Sequence, residues 1–174
     1  LLAFRTALGA GAKWLELDTQ LVENELVVFH DDELERTTNG QGLLADISLG
    51  KLRKLDAGKG EKVPMLHEVL SLAAGSAQVN IELKGVGTGV ATGELLSKLF
   101  AQKKLVPGDV LASSLRLDEL NSFQHRMPQV RRAPVYEYLP DDFRAALKAL
   151  DCWSVHLHKA LISERVVEIA TQQD

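Results

Sequence analysis

Trp14-Leu15-Glu16-Leu17-Asp18 alternates polar or aromatic residues with leucines, the period-two pattern of a half-buried strand. In a strand, Trp14, Glu16 and Asp18 share one face and Leu15 and Leu17 the other, so two carboxylates point the same way. Upstream, residues 1–10 keep apolar side chains at helical spacing, and Gly9 and Gly11 end the pattern. Downstream, a turn around Glu23-Asn24-Glu25 leads into Leu26-Val27-Val28-Phe29, a second predicted strand that delivers His30-Asp31-Asp32 at its end. A third, residues 79–84, places Asn80, Glu82 and Lys84 on one face opposite apolar neighbours.

Between the second and third strands, residues 37–62 contain Asn39-Gly40, Gly42, Gly58 and Gly60 around a short helical piece at 49–55, which predicts a small excursion from a single domain spanning 1–174. Pro64 then precedes a helix at 66–74. The remainder predicts helix 92–102, strand 110–114, helix 117–125, strand 132–136, helix 141–150, strand 152–157 and helix 163–172. Such alternation implies a parallel sheet wrapped by helices, either a closed barrel or a doubly wound open sheet. Gly85-Val86-Gly87-Thr88-Gly89 is the one candidate for a dinucleotide loop, and it lacks the third glycine at the required spacing.

Composition narrows the function. Apolar residues make up 45% and charged residues 25% of the 174, the balance of a globular protein, and the net charge of −4 disfavours nucleic acid as a partner. No apolar run approaches the ~20 residues that a bilayer requires, so stable membrane insertion is not expected. The single cysteine, Cys152, excludes an internal disulfide framework and fits a cytoplasmic setting. The opening Leu1-Leu2-Ala3-Phe4 has neither an initiator Met nor signal-peptide order, so the true start is expected upstream, where a secretion signal could lie.

With the strands parallel, Asp18, His30, Glu82 and Lys84 fall at or near strand C-terminal ends, where barrels and open sheets alike build their sites. Glu16, Asp18 and Glu82 together offer hard oxygen donors of the kind Mg²⁺ or Ca²⁺ takes. The alternative is that they are surface groups or ion-pair partners, which weakens once three share the polar faces of neighbouring strands. Lys84 reads either as the neutralising partner of Glu82 or Glu16 or as a point charge for a phosphate. His30 reads either as a strand-end hydrogen-bonding residue or, beside carboxylates, as a general acid or base. His156 and His158 share a predicted strand face and could reach the same cavity; they are read as core or rim residues, with substrate contact as the lesser alternative, and His67 and His125 as exposed on helices.

Gly11-Ala12-Lys13-Trp14-Leu15-Glu16-Leu17-Asp18 resembles the "GA…(I/L)E(L/M)D" segment of the glycerophosphodiester phosphodiesterase family. Val27 to Asp32 and Leu34 to Gly40 are similar to its "VVFHDxxLxRTTNG" stretch, Val63 to Leu70 to its "(I/V)PTLxEVL" with Met65 in place of Thr, and Asn80 to Lys84 to its "NIE(L/I)K". Val110 to Ser114 is a weaker match to a later strand. The resemblance implies a TIM (β/α)8 barrel of the compact bacterial type, incomplete at both ends because the family's first strand and last two have no counterpart in the 174 residues. It implies that Glu16, Asp18 and Glu82 bind Mg²⁺ or Ca²⁺, that His30 is one of two acid/base histidines, and that Lys84 contacts substrate. The other histidine belongs to an "HRG" motif followed by "PENT", neither of which occurs in this sequence. The implied activity is metal-dependent hydrolysis of a small glycerophosphodiester to glycerol 3-phosphate and an alcohol. A lysophospholipase D-like lipid phosphodiesterase and a catalytically silent phosphodiester-binding barrel stay open as alternatives, as does homo-oligomerisation.

Overall fold

A computed structural model describes residues 1–172. Helix α1 (Leu2–Gly9) leads into strand β1 (Trp14–Val22), which turns into β2 (Glu25–Val28). The excursion follows, with a 3₁₀ turn at Leu44–Asp46 and the short helix α2 (Leu49–Leu52), and then α3 (Leu66–Ala73). From there strand and helix alternate: β3 (Gln78–Leu83), α4 (Thr88–Ala101), β4 (Val110–Ser114), α5 (Leu117–Arg126), β5 (Arg131–Tyr136), α6 (Phe143–Leu150), β6 (His156–Leu157) and α7 (Glu164–Thr171). The sheet order is β2-β1-β3-β4-β5-β6. Every neighbouring pair from β1 onward is parallel, whereas β2 runs antiparallel to β1.

That antiparallel pairing corrects the expectation that the His30 strand is parallel. Glu23 and Asn24 both take positive φ (51° and 66°), and Val22 pairs with Glu25, so a two-residue turn joins the strands. β1 overshoots the sheet, and β2 brings the chain back until Thr19 pairs with Val28 and the Phe29 amide donates to the Asp18 carbonyl at 3.0 Å. His30 therefore arrives at the level of Asp18 by a return stroke. The predicted strand 152–157 contracts to two residues, because Cys152 and Val155 join an apolar cluster with α6 and α7 while Trp153 turns toward Trp14.

Among the described residues the sheet is curled and does not close. Four inter-strand spacings separate β1 from β6, roughly 19 Å on a flat sheet. Yet the rings of Trp14, on β1, and Trp153, just before β6, stack with centroids 6.2 Å apart, and the Arg131 guanidinium of β5 lies over both. Parallel strands with helices outside them on a curled sheet are an arc of a (β/α)8 barrel. Leu15, Leu17, Val79, Ile81, Leu83, Val110 and Ala112 face the helices and form the main core with α3, α4 and α5. A second cluster, with Val27, Leu34, Leu44, Leu52 and Val63, packs the excursion onto the hairpin. Among the described residues, no helix is long and apolar enough to cross a membrane.

Helix α4 starts at Thr88, four residues earlier than the predicted 92, and the reason lies in α5. A Cβ on Gly89 would stand 2.2 Å from the Glu119 carbonyl oxygen, and one on Gly93 would stand 3.0 Å from Arg126 Cβ. The glycines admit α5 at close range. The buried Glu119 carboxylate accepts from the amides of Gly87 and Gly89 at 2.7 and 2.8 Å, filling the helix N-terminus that a dinucleotide loop would offer to phosphate. Replacing Glu119→Ala is expected to lower stability by about 2 kcal/mol and Tm by roughly 4–8 °C in a thermal melt, because one buried and one half-buried amide lose a charged acceptor.

Candidate functional site

The inward face of the arc is polar. On β1 the period-two pattern sends Trp14, Glu16, Asp18 and Gln20 inward, while Leu15, Leu17 and Thr19 are buried toward the helices. Parallel pairing of β1 with β3 sets Glu16 opposite Asn80 and Asp18 opposite Glu82. One carboxylate oxygen from each of Glu16, Asp18 and Glu82 can be chosen so that all lie within 4.8 Å of one another. The three residues expected from sequence are thus brought together by strand register alone.

Crowding leaves an electrostatic signature. The Glu16 carboxyl is pushed up to about 7, first by desolvation and then by the charges of Asp18 and Glu82, with His30 and Lys84 pulling the other way. Glu82 is raised for the same reasons, desolvation first and Asp18 second. Asn80 Oδ1 and Ser113 Oγ are buried on the same inward face without a hydrogen-bond partner, each opposite a cluster residue in the strand register. Three mutually repelling carboxylates beside orphaned neutral oxygens form a donor set of hard oxygens, and this fits a divalent cation such as Mg²⁺ or Ca²⁺. The set contains no thiolate or imidazole of the kind zinc favours.

Lys84 lies one residue beyond β3, and its Nζ stands 3.8 Å from Asp18 Oδ1. The lysine therefore approaches Asp18, where the sequence suggested Glu82 or Glu16. His30 and Lys84 both border an open cleft of about 630 Å³, lined also by Asp31, Asp32, Glu33, Glu35 and Arg36. A smaller cleft of about 280 Å³ connects His30 with Glu16 and Asp18. The cleft side of the carboxylate cluster thus carries one imidazole and one ammonium.

The other four histidines line neither of these two clefts. His156 is on β6 and partly buried, and desolvation lowers its pKa. His158 is taken up in local structure, accepting from the Ala160 amide at 3.3 Å. His67 and His125 are exposed on α3 and α5, as expected. Two residues not singled out by the sequence, Gln20 and Arg36, also belong to the neighbourhood. Gln20 Nε2 donates to the carbonyls of His30 and Asp31 at 3.2 and 2.9 Å, and Arg36 binds the Asp31 carboxylate. Gln20 was signalled by the alternation Trp14, Glu16, Asp18, which runs on by one more step. The following Thr38, Asn39 and Gly40 are structural: Thr38 Oγ1 donates to the Leu34 carbonyl, Asn39 caps the Asp56 amide, and a Cβ on Gly40 would meet Leu55 Cδ1 at 2.5 Å.

The glycerophosphoryl diester phosphodiesterase family matches residues 1–174. A glycerophosphodiester phosphodiesterase of Caldanaerobacter subterraneus subsp. tengcongensis is 33% identical over 165 residues, covering 88% of this chain and 67% of that protein. One from Bacillus subtilis is 31% identical over 192 residues, covering 95% of this chain and 66% of its own length. This chain spans about two thirds of the length of these relatives. Among solved structures, a phosphodiesterase of Oleispira antarctica in complex with the product sn-glycerol-3-phosphate superposes with a TM-score of 0.84 at 30% identity, over 97% of this chain and 72% of that one. A Galdieria sulphuraria structure superposes with the same score at 21% identity, which speaks to fold alone.

The raised Glu16 pKa has a stability consequence whose sign can be worked out. Between 4.5 and about 7 the folded chain keeps a proton on Glu16 that the unfolded chain has lost, so this group's contribution to stability falls as pH rises through that window. In chelator, Glu16→Gln is expected to melt above the unsubstituted chain at about pH 8, with the gap closing by about pH 4.5. Melts that stay equal at both pH values would show that the crowding is relieved in solution.

Proposed function

The chain belongs to the glycerophosphoryl diester phosphodiesterase family, and on that premise we propose that its site serves the hydrolysis of glycerophosphodiesters to sn-glycerol 3-phosphate and an alcohol. The observation that carries the reading is the meeting of Glu16, Asp18 and Glu82 oxygens within 4.8 Å at the end of the sheet where His30 and Lys84 also stand.

In this reading Glu16, Asp18 and Glu82 hold a divalent cation, Mg²⁺ or Ca²⁺. When bound, such a cation polarises a phosphoryl oxygen and lowers the pKa of an attached hydroxyl or water. Lys84, whose Nζ stands 3.8 Å from Asp18 Oδ1, would present its ammonium to a non-bridging phosphate oxygen as a point charge. Cleavage forms one P–O bond and breaks another, so a proton must leave the nucleophile and a proton must reach the departing alcohol oxygen. His30, at the cleft and beside Asp18 through the return stroke of β2, moves one of these protons. The cleft's acidic side, with Asp32, Glu33 and Glu35, suits an alcohol that carries a positive charge, such as choline or ethanolamine.

The protein expressed from its complete gene is expected to release glycerol 3-phosphate from glycerophosphocholine with Mg²⁺ or Ca²⁺, and to stop when chelator is added. His30→Ala should lower kcat by roughly 10²–10⁴-fold. Glu16→Gln and Glu82→Gln should abolish the rise in Tm that the free cation produces in the unsubstituted protein. Absence of release with either metal and several head groups, from protein with a cooperative melt, would overturn the reading.

A further inference from the structure

The loop after β2 carries two charged residues, Asp31 and Arg36, that the chemistry above does not use. His30 Nδ1 stands 2.6 Å from Asp31 Oδ1. Arg36 holds the same carboxylate from the far side: its Nε donates to Oδ2 and its Nη2 to Oδ1 at 2.8 Å, a two-point fork. These bonds, first from Arg36 and then from His30, hold the Asp31 carboxyl well below the usual carboxylate range. The peptide is fixed as well, since Gln20 on β1 donates to the carbonyls of both His30 and Asp31. One strand therefore carries Glu16 and Asp18 and also anchors the backbone that bears the histidine.

An ionised carboxylate only accepts hydrogen bonds, so the 2.6 Å contact requires a proton on His30 Nδ1. In the neutral ring that leaves the lone pair on Nε2. A histidine side chain 59% exposed and without such a partner would sample both tautomers and several rotamers. A purely structural role for the Arg36–Asp31 pair is weak, because Arg36 is 64% exposed and surface ion pairs add little stability. The consequence of the fork is orientation.

We propose that Asp31 is a positioning residue for His30 and that Arg36 clamps Asp31, the pair fixing Nδ1 as donor so that Nε2 is the atom that exchanges a proton with substrate. This rests on the phosphodiesterase reading, in which His30 moves a proton. Neither Asp31 nor Arg36 needs to touch the reacting phosphate.

The test combines ¹⁵N NMR of the His30 ring with steady-state kinetics on glycerophosphocholine for the full protein, Asp31→Asn, Arg36→Ala and Arg36→Lys. The expected result is the Nδ1–H tautomer in the unsubstituted protein and its loss in Asp31→Asn. That variant's kcat should fall roughly 10²-fold while KM stays within about twofold, the pattern of a lost orientation and not of lost binding. Arg36→Ala should lower kcat about tenfold, with partial recovery in Arg36→Lys or on adding guanidinium, and Tm should be nearly unchanged. A His30 ring with its proton on Nε2, or an Asp31→Asn kcat equal to that of the unsubstituted protein, would overturn the proposal. Should the unsubstituted protein release no glycerol 3-phosphate, the phosphodiesterase reading fails. The nitrogen shifts then still decide whether Asp31 sets the tautomer.

Discussion

Three carboxylates that would repel one another are held within reach by the pairing of β1 with β3, and much of the molecule is arranged around that constraint. Register sets Asp18 directly opposite Glu82, and the period-two alternation adds Glu16 two residues earlier on the same face. A slip of one residue would send the acids into the helix-facing core and the leucines inward, so the apolar positions Leu15, Leu17, Ile81 and Leu83 enforce the arrangement of the polar ones. The buried side of the strand thereby sustains the strain on the other. Desolvation and mutual repulsion show in the raised Glu16 and Glu82 carboxyls. A bound cation would relieve that cost, which couples folding of this face to its chemistry.

Other parts of the fold serve the same spot from outside the cluster. The β1–β2 hairpin rises beyond the sheet and drops His30 beside Asp18, a route unavailable to a parallel strand with its own crossover helix. Glu119 ties α5 to the start of α4, and that start lies four residues past Lys84, so the loop carrying the lysine is fixed at its far end. Gly85 continues the same logic, since its amide donates to the Thr19 carbonyl and a Cβ there would stand 3.3 Å from Gln20 Cα.

How much of this was legible in the sequence varied with how local the cause is. The β1 alternation, the acids on β3 and the downstream strand–helix succession follow from periodicity, which is a local property. The direction of β2 was not read, although Glu23-Asn24 between paired residues is the kind of turn that closes an antiparallel hairpin, because the regular succession elsewhere argued for parallel pairing. The start of α4 is not legible locally, because a glycine-rich stretch has the chemistry of a loop unless α5 lies against it. Strand β6 was drawn too long because Cys152, Trp153 and Val155 have strand-like chemistry but are claimed by other contacts. Arg36 as a partner of Asp31 is a matter of loop conformation, which composition does not encode.

The inward face of β1 distributes distinct tasks along its length. Trp14, at the strand's start, stacks on Trp153 beneath the Arg131 guanidinium and draws the arc around on itself. Glu16 and Asp18, in the middle, form the oxygen cluster with Glu82. Gln20, beyond them, holds the peptide of His30 and Asp31. Contacts that shape the sheet lie at the N-terminal ends of the strands and chemistry lies toward their C-terminal ends, the division that parallel barrels impose. Because consecutive positions on this face are separated by only two residues, roughly 7 Å of strand, curvature at Trp14 and geometry at Asp18 are mechanically linked through one rigid segment. The aromatic contact at the base therefore contributes to how closely the carboxylates are held above it.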